Sequence, residues 1–95
     1  MAEGPSPDEL VEELRRAKVS DLLVHTLSMV ASMGFAKLAP EGRDLEQGRI
    51  AIEALKALLP VLEGHVDEEV SRDFGQVLAN LQLAYADAAK ADAGS

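Results

Sequence analysis

The sequence contains no cysteine and no tryptophan, and only 3% of its residues are aromatic. The absence of cysteine excludes disulfides, thiolate metal sites and cysteine-based catalysis, and it is compatible with oxidising and reducing compartments alike. With so few aromatic rings, any core must be built from Leu, Val, Ile, Ala and Met. The N-terminus has no basic segment followed by an apolar run, so we predict no secretory signal and a cytoplasmic location.

The charge balance limits the classes of partner. Seventeen acidic and nine basic residues give a net charge of -8, and such a field repels phosphate backbones. The one local basic cluster consists of Arg15, Arg16 and Lys18. Nucleic acid is therefore disfavoured as a partner, and an RNA- or ribosome-associated role through this cluster is the alternative function.

An uncharged stretch dominates the middle of the chain. Val19–Leu38 reads VSDLLVHTLSMVASMGFAKL, and its 15 residues from Leu22 to Ala36 include no Asp, Glu, Lys or Arg. Its large apolar residues point in nearly every helical direction, so we predict a central helix that is buried by its neighbours. A transmembrane helix is the competing interpretation, but a span needs about 20 apolar residues and His25 interrupts this run. We predict no transmembrane segment.

A short amphipathic helix is predicted ahead of the central one. Ser6 suits its N-cap, and Pro7 suits its first position. Its narrow apolar stripe consists of Leu10, Val11, Leu14 and Ala17. A helix this short needs docking to be stable. We predict a break near Val19 and Ser20, with a continuous helix from Pro7 as the alternative.

Two further helices follow a Pro/Gly turn at Ala39–Arg43. Asp44 is predicted to cap the third helix, and Pro60 predicts a kink or an irregular final turn. The core row of this helix is Leu45, Ile52, Leu55, Leu59 and Leu62. Gly64 fits a helix end, and the last helix is predicted from about Asp67 to about Ala89. Its seam has a coiled-coil-like spacing: Val70, Phe74, Val77, Leu81, Ala84 and Ala88.

The predicted fold class is all-α: a three-helix antiparallel bundle with an additional short N-terminal amphipathic helix docked on its side. We expect residues 1–5 to be disordered, residues 6–90 to form a single helical domain, and residues 91–95 to be a frayed C-terminus. One domain suits a chain of 95 residues, which buries about 60 to 65% of its unfolded surface.

The order of these segments resembles a bacterial family of small helical proteins, domain-of-unknown-function family eighteen forty-four. A Leu-, Ser- and Met-rich helix ends near Gly34, and the segment DLEQGRIAIEALKAL follows the turn. The matching positions are Asp44, Leu45, Glu46, Arg49, Ile52, Glu53 and Leu55. The resemblance covers Val19 to Tyr85, with departures at Gly48, where the family pattern has Ala, at Pro60 and at Gln82. The resemblance implies the helical fold and leaves function open, because the family has no known activity.

We predict no catalytic residue, no cofactor and no metal site, and therefore no enzyme. His25 is a lone histidine on an apolar helix, where a packed or edge residue is commoner than a ligand or base. An acid–base enzyme would need a pocket that joins His25 to a carboxylate. Helix capping explains the carboxylates that follow His65, which are Asp67, Glu68 and Glu69. Nucleophile-elbow and phosphate-loop motifs are absent from the sequence.

The predicted function is a non-catalytic interaction module. Apolar surface left on the central and last helices would form a homodimer or receive a partner helix. Small residues on the central helix allow a second backbone to approach, and a charged row on the third helix is either a specificity ladder or a solvated surface. The predicted interface residues are Ser28, Ala31, Ser32, Glu46, Arg49 and Glu53. Met29 and Met33 are interpreted as core filler, with an adaptable partner groove as the alternative.

Overall fold

The computed structural model describes residues 6–94 of the chain, and the described residues form helices and no strands. The helices are α1 (Pro7–Arg16), α2 (Val19–Leu38), α3 (Leu45–Leu62) and α4 (Glu68–Gly94). The all-α prediction is confirmed. The predicted disorder of residues 1–5 lies outside the described residues, as does the terminal Ser95.

Side-chain caps begin α1 and α3 as the sequence predicts. The Ser6 hydroxyl accepts a hydrogen bond from the Glu9 backbone N–H at 3.2 Å, and the Glu9 carboxylate accepts one from the Ser6 N–H at 3.0 Å. This reciprocal pair is a capping box, and it satisfies two N–H groups that a helix end leaves free. At the start of α3, the Asp44 carboxylate accepts from the Gln47 N–H at 3.2 Å.

The helix ends differ in detail from the prediction. Ala17 and Lys18, both extended, separate α1 from α2, so the break falls just before Val19 and the two helices are not continuous. At the other end of the chain, α4 continues to Gly94, beyond the predicted end near Ala89. Its last turns are rich in alanine, which has the highest helix propensity.

Pro60 lies inside the last turn of α3. Proline has no backbone N–H, so residue 60 cannot donate a hydrogen bond to the carbonyl one turn earlier. The helix ends two residues later, at Leu62, where the Glu63 N–H donates to the Pro60 carbonyl at 3.3 Å in a tighter, three-residue turn. Gly64 follows with φ 85°, a left-handed conformation that glycine adopts without a steric cost.

The core lies among α2, α3 and α4, each of which contacts the other two. The buried apolar residues are Leu27, Ala31, Leu38, Ala51, Ile52, Leu55, Leu62, Phe74, Leu81 and Ala88. Gly34 of α2 faces Ala51 of α3, while Leu38, later in α2, faces Gly48, earlier in α3. The two helices are therefore antiparallel, as their short connection predicts.

Two glycines set the close approach of α2 to α3. A Cβ atom at Gly34 would lie 2.8 Å from the Cβ of Ala51, and one at Gly48 would lie 2.5 Å from Cδ2 of Leu38. Real Cβ atoms do not approach other heavy atoms this closely, because the repulsion is steep. The packing of Leu38 is thus a physical reason for glycine at position 48, where the family pattern suggested by the sequence has alanine.

The first helix stands apart from the others. No residue of α1 is buried, and α1 contacts none of α2, α3 and α4. The predicted docking of this helix on the side of the fold is therefore not observed within the single chain. The extended link at Ala17 and Lys18 carries the chain away from the packed helices.

The prediction that its neighbours bury α2 is wrong for one side of the helix, and the predicted leftover apolar surface of α2 lies on that side. Both neighbours of α2 pack on one side, where its buried residues lie, and its other side is exposed. Leu22, Met29 and Met33 are 65%, 64% and 58% exposed. The interpretation of Met29 and Met33 as core filler is wrong for the same reason, since two helices do not enclose a third.

Candidate protein interface

A groove runs along the surface between α2 and α3. A pocket of about 160 Å³ in this groove is lined by Val30, Met33, Gly34, Lys37, Gln47, Ile50 and Ala51, and we call these residues the α2–α3 groove. Met33 forms the bank on α2, and Ile50, 48% exposed, forms the bank on α3. Apolar side chains thus border the groove on both sides.

The exposed row of α2 extends this apolar surface. Met29 and Met33 are four residues apart, and Leu22 and Met29 are seven apart, so the three side chains lie on one side of the helix. We call Leu22, Met29 and Met33 the α2 outer face. Methionine side chains adapt to differently shaped partners because they are unbranched and polarizable.

The glycine in the floor explains why the groove is open. Gly34 has no side chain, and a Cβ atom at this position would lie only 2.8 Å from the Cβ of Ala51. The flanking side chains of Met33 and Ile50 rise on either side of this contact. The local sequence therefore builds a depression with a narrow floor and apolar banks.

Charges are sparse at the groove and denser on the outer side of α3. Lys37 is the only charged side chain among those that line the groove. On α3, Arg49 and Glu46 form an exposed ion pair with an N–O distance of 3.7 Å, and Glu53 is exposed on the same side. A solvated pair of this kind contributes little stability, so the predicted charged row forms the rim of the apolar surface.

The structure separates the small residues that were predicted to form the interface. Ala31 is buried, with 6% exposure, and a partner would reach it only by opening the core. Ser32 is exposed on α2. Ser28 is also exposed, and it lines a shallow depression together with Ser32, Met29 and Met33; on its other side it borders a depression between α2 and α4. Of the six predicted residues, Ala31 is therefore inaccessible and the other five are exposed.

Sequence reasoning missed Ile50, and it placed Met33 in a partner groove only as the alternative. Ile50 is apolar but lies outside the core row of α3, and an apolar residue off the core row is the available signal of an exposed face. Met33 belongs to the uncharged stretch, whose methionines were interpreted first as core filler. Whether an apolar residue of α2 is buried or exposed depends on how many helices pack around α2. The periodicity of the α2 sequence does not contain that information.

The predicted basic cluster is partly neutralised. Arg15 and Arg16 approach the Glu12 carboxylate at 3.0 and 3.9 Å. All three side chains are exposed, so the pairs are weak. The same short helix also contains Asp8 and Glu13. RNA or ribosome binding through this cluster stays a prediction that no contact in the structure favours.

The two histidines lie apart on the surface. His25 is exposed on α2, and His65 is exposed in the turn between α3 and α4. Within residues 6–94, no group of three or more His, Asp or Glu side chains is arranged to hold a metal ion. The absence of enzymatic activity remains a prediction from the sequence.

One helix in the described part of the chain is long and apolar enough to cross a membrane. This helix is α2, with 20 residues and a mean hydropathy of 1.3, and 17% of its most apolar window is buried. Core helices of soluble proteins and signal sequences meet the same criterion, so length and composition alone do not assign α2 to a membrane.

Comparison with known proteins gives no relative: no protein-family profile, no curated protein and no solved structure matches this chain. The resemblance to the bacterial family of unknown function therefore stays a prediction from the sequence.

Proposed function

We propose that this chain is a non-catalytic self-association module, which forms a homodimer through the α2–α3 groove and the α2 outer face. The observation that carries the proposal is the exposure of Leu22, Met29 and Met33 beside Ile50 on one side of the fold. Monomeric soluble proteins rarely expose a large contiguous apolar patch, and such patches commonly mark an interaction site.

The exposed area supports a contact of ordinary size. The accessible surface is 6759 Å², whereas a compact monomer of 10.1 kDa exposes about 5300 Å². The radius of gyration of 17.2 Å likewise exceeds the about 12 Å of a compact domain of this length. A specific interface buries about 800 Å² on each partner, so the surplus is large enough for one.

The distribution of charge favours a second copy as the occupant. Each chain has a net charge of -8, and two copies repel each other unless their contact avoids the acidic surfaces. The α2 outer face lies in the 15-residue stretch without Asp, Glu, Lys or Arg. Pairing through this face brings together the least charged parts of two copies, and an isologous contact closes as a dimer.

A charge placed on the groove tests the proposal. We expect Met33→Glu to weaken the dimer by at least about tenfold in Kd, because an unpaired carboxylate in an apolar contact is costly to desolvate. Leu83→Glu is the matched control: Leu83 is 62% exposed and Met33 58%, and Leu83 lies on α4, away from the groove. Sedimentation equilibrium measures Kd, and far-UV circular dichroism checks that both variants fold.

Two outcomes would contradict the proposal. Equal weakening by both variants would show that the contact does not use the groove. A monomer that cosediments with neutral phospholipid vesicles, and loses this binding in Met33→Glu, would assign the apolar face to a membrane surface instead.

A further inference from the structure

The proposed self-association leaves open which element fills the groove, and the inference here rests on that proposed function. We infer that α1 of one copy docks in the α2–α3 groove of a second copy, with Leu14 in the pocket between Met33 and Ile50. The two copies would exchange their first helices reciprocally.

The first observation is the uncovered stripe of α1. Leu10, Val11 and Leu14 are 45%, 48% and 73% exposed, and α1 contacts none of the other helices. An isolated helix of 10 residues is marginal in water, because most helical stability in proteins comes from packing of the apolar side. A second surface must cover this stripe for α1 to persist as a helix.

The second observation is that Leu14 cannot reach the pocket of its own chain. While α1 stays helical, the segment from Leu14 to Arg16 and the two-residue link allow Leu14 to lie at most about 16 Å from Val19. Because the axes of packed helices are about 9 Å apart, this reach corresponds to about 13 Å along α2. Met33 lies 14 residues further along α2, which is about 21 Å of helix. The pocket at Met33 is therefore out of range of its own Leu14, and only a second copy can supply this side chain.

The third observation is the fit in size. The pocket volume is about 160 Å³, and a cavity of about 150 Å³ holds a benzene-sized group. The pocket therefore has room for one leucine side chain. An amphipathic helix whose apolar side chain enters a groove is the helix-in-groove mode of recognition.

The fourth observation is charge complementarity. On α1, Glu13 and Arg15 lie on opposite sides of the apolar stripe. At the groove, Lys37 lies on the α2 side, and the exposed Glu53 lies beyond Ile50 on α3. A docked α1 that runs antiparallel to the partner's α2 brings Glu13 to Lys37 and Arg15 to Glu53, whereas the reverse direction opposes like charges. The charges therefore select one orientation.

Cross-linking between two populations tests the exchange. The chain has no cysteine, so Glu13→Cys in one population and Lys37→Cys in a second, mass-tagged population each provide a single thiol. We expect a short bis-maleimide to link the two populations after mixing. An Asn80→Cys partner, on the exposed side of α4, should give only the background of random collisions.

Two further variants show whether the link depends on the apolar stripe. Adding Leu14→Ser to the Glu13→Cys chain should lower the yield by about tenfold or more, because one buried leucine is lost from the contact. Adding Arg16→Ser, on the opposite side of α1, should leave the yield unchanged.

If the chain is dimeric by mass but the link is absent or insensitive to Leu14→Ser, the exchange is wrong and self-association stands. If the chain is monomeric at every concentration, both fail.

Discussion

At the scale of single residues, the glycines of α2 and α3 determine how the fold is assembled. A side chain at Gly34 would meet the Cβ of Ala51, and one at Gly48 would meet the side chain of Leu38. Both glycines were visible in the sequence, but a glycine inside a helix indicates only that something is close or that the helix is weakened there. Which atoms lie opposite depends on the packing of α3, so the role of these glycines was not predictable.

Gly34→Ala should lower the free energy of unfolding. The new Cβ would meet the Cβ of Ala51 at 2.8 Å, an atom fixed to the backbone, so the helices must separate. Overpacking of this kind costs about 1–3 kcal/mol, which outweighs a gain of up to about 1 kcal/mol in helix propensity. The midpoint of urea denaturation measures the change.

Gly75→Ala is the matched control for this substitution. Gly75 lies within α4, and a Cβ there would meet no atom within 4 Å. We expect this variant to raise the midpoint, because only the propensity gain of up to about 1 kcal/mol applies. A rise in both variants would mean that the contact between Gly34 and Ala51 is looser than described.

At the scale of the elements, the starts of helices were easier to predict than their ends. The caps at Ser6 and Asp44 depend on residues three positions apart, so the local sequence contains them. The extension of α4 to Gly94 involves Arg43, 45 residues before Ala88. The Arg43 guanidinium donates to the Ala88 carbonyl at 3.2 Å and pairs with Asp92 at 2.8 Å. No local pattern predicts a contact of that range.

Arg43→Gln should loosen the C-terminal turns of α4. Its side chain is 16% exposed, and it also donates to the Leu38 carbonyl at 3.2 Å, so it joins the α2–α3 turn to α4. Hydrogen bonds from a charged donor contribute about 1.5–3 kcal/mol when buried, and partial exposure lowers the expected loss to about 1–2 kcal/mol. Amide hydrogen exchange should become faster in the last turns of α4.

Arg49→Gln is the comparison for Arg43→Gln. Arg49 is 55% exposed and pairs with Glu46 at 3.7 Å, so its loss should change stability by less than about 0.5 kcal/mol. Hydrogen exchange in α4 should stay unchanged. Equal effects of the two variants would mean that the contacts of Arg43 do not hold the end of α4.

At the scale of the whole molecule, the helices have more apolar surface than a single chain buries. The sequence predicted an all-helical fold, the core row of α3 and the seam of α4, because their apolar periodicity is strong. It also predicted apolar surface left over on the central helix, but it did not predict which side of α2 stays exposed or that α1 stays undocked. Both outcomes depend on how the helices surround one another, and an uncharged stretch looks the same in a core as in an interface.

The molar mass of the unmodified chain in solution tests the central claim most directly. Size-exclusion chromatography with light scattering, over a wide range of concentrations, should give twice the chain mass of 10.1 kDa at high concentration and approach the chain mass on dilution. A mass of 10.1 kDa at every concentration would contradict the account, because the groove, the α2 outer face and α1 would then all remain uncovered by a second copy.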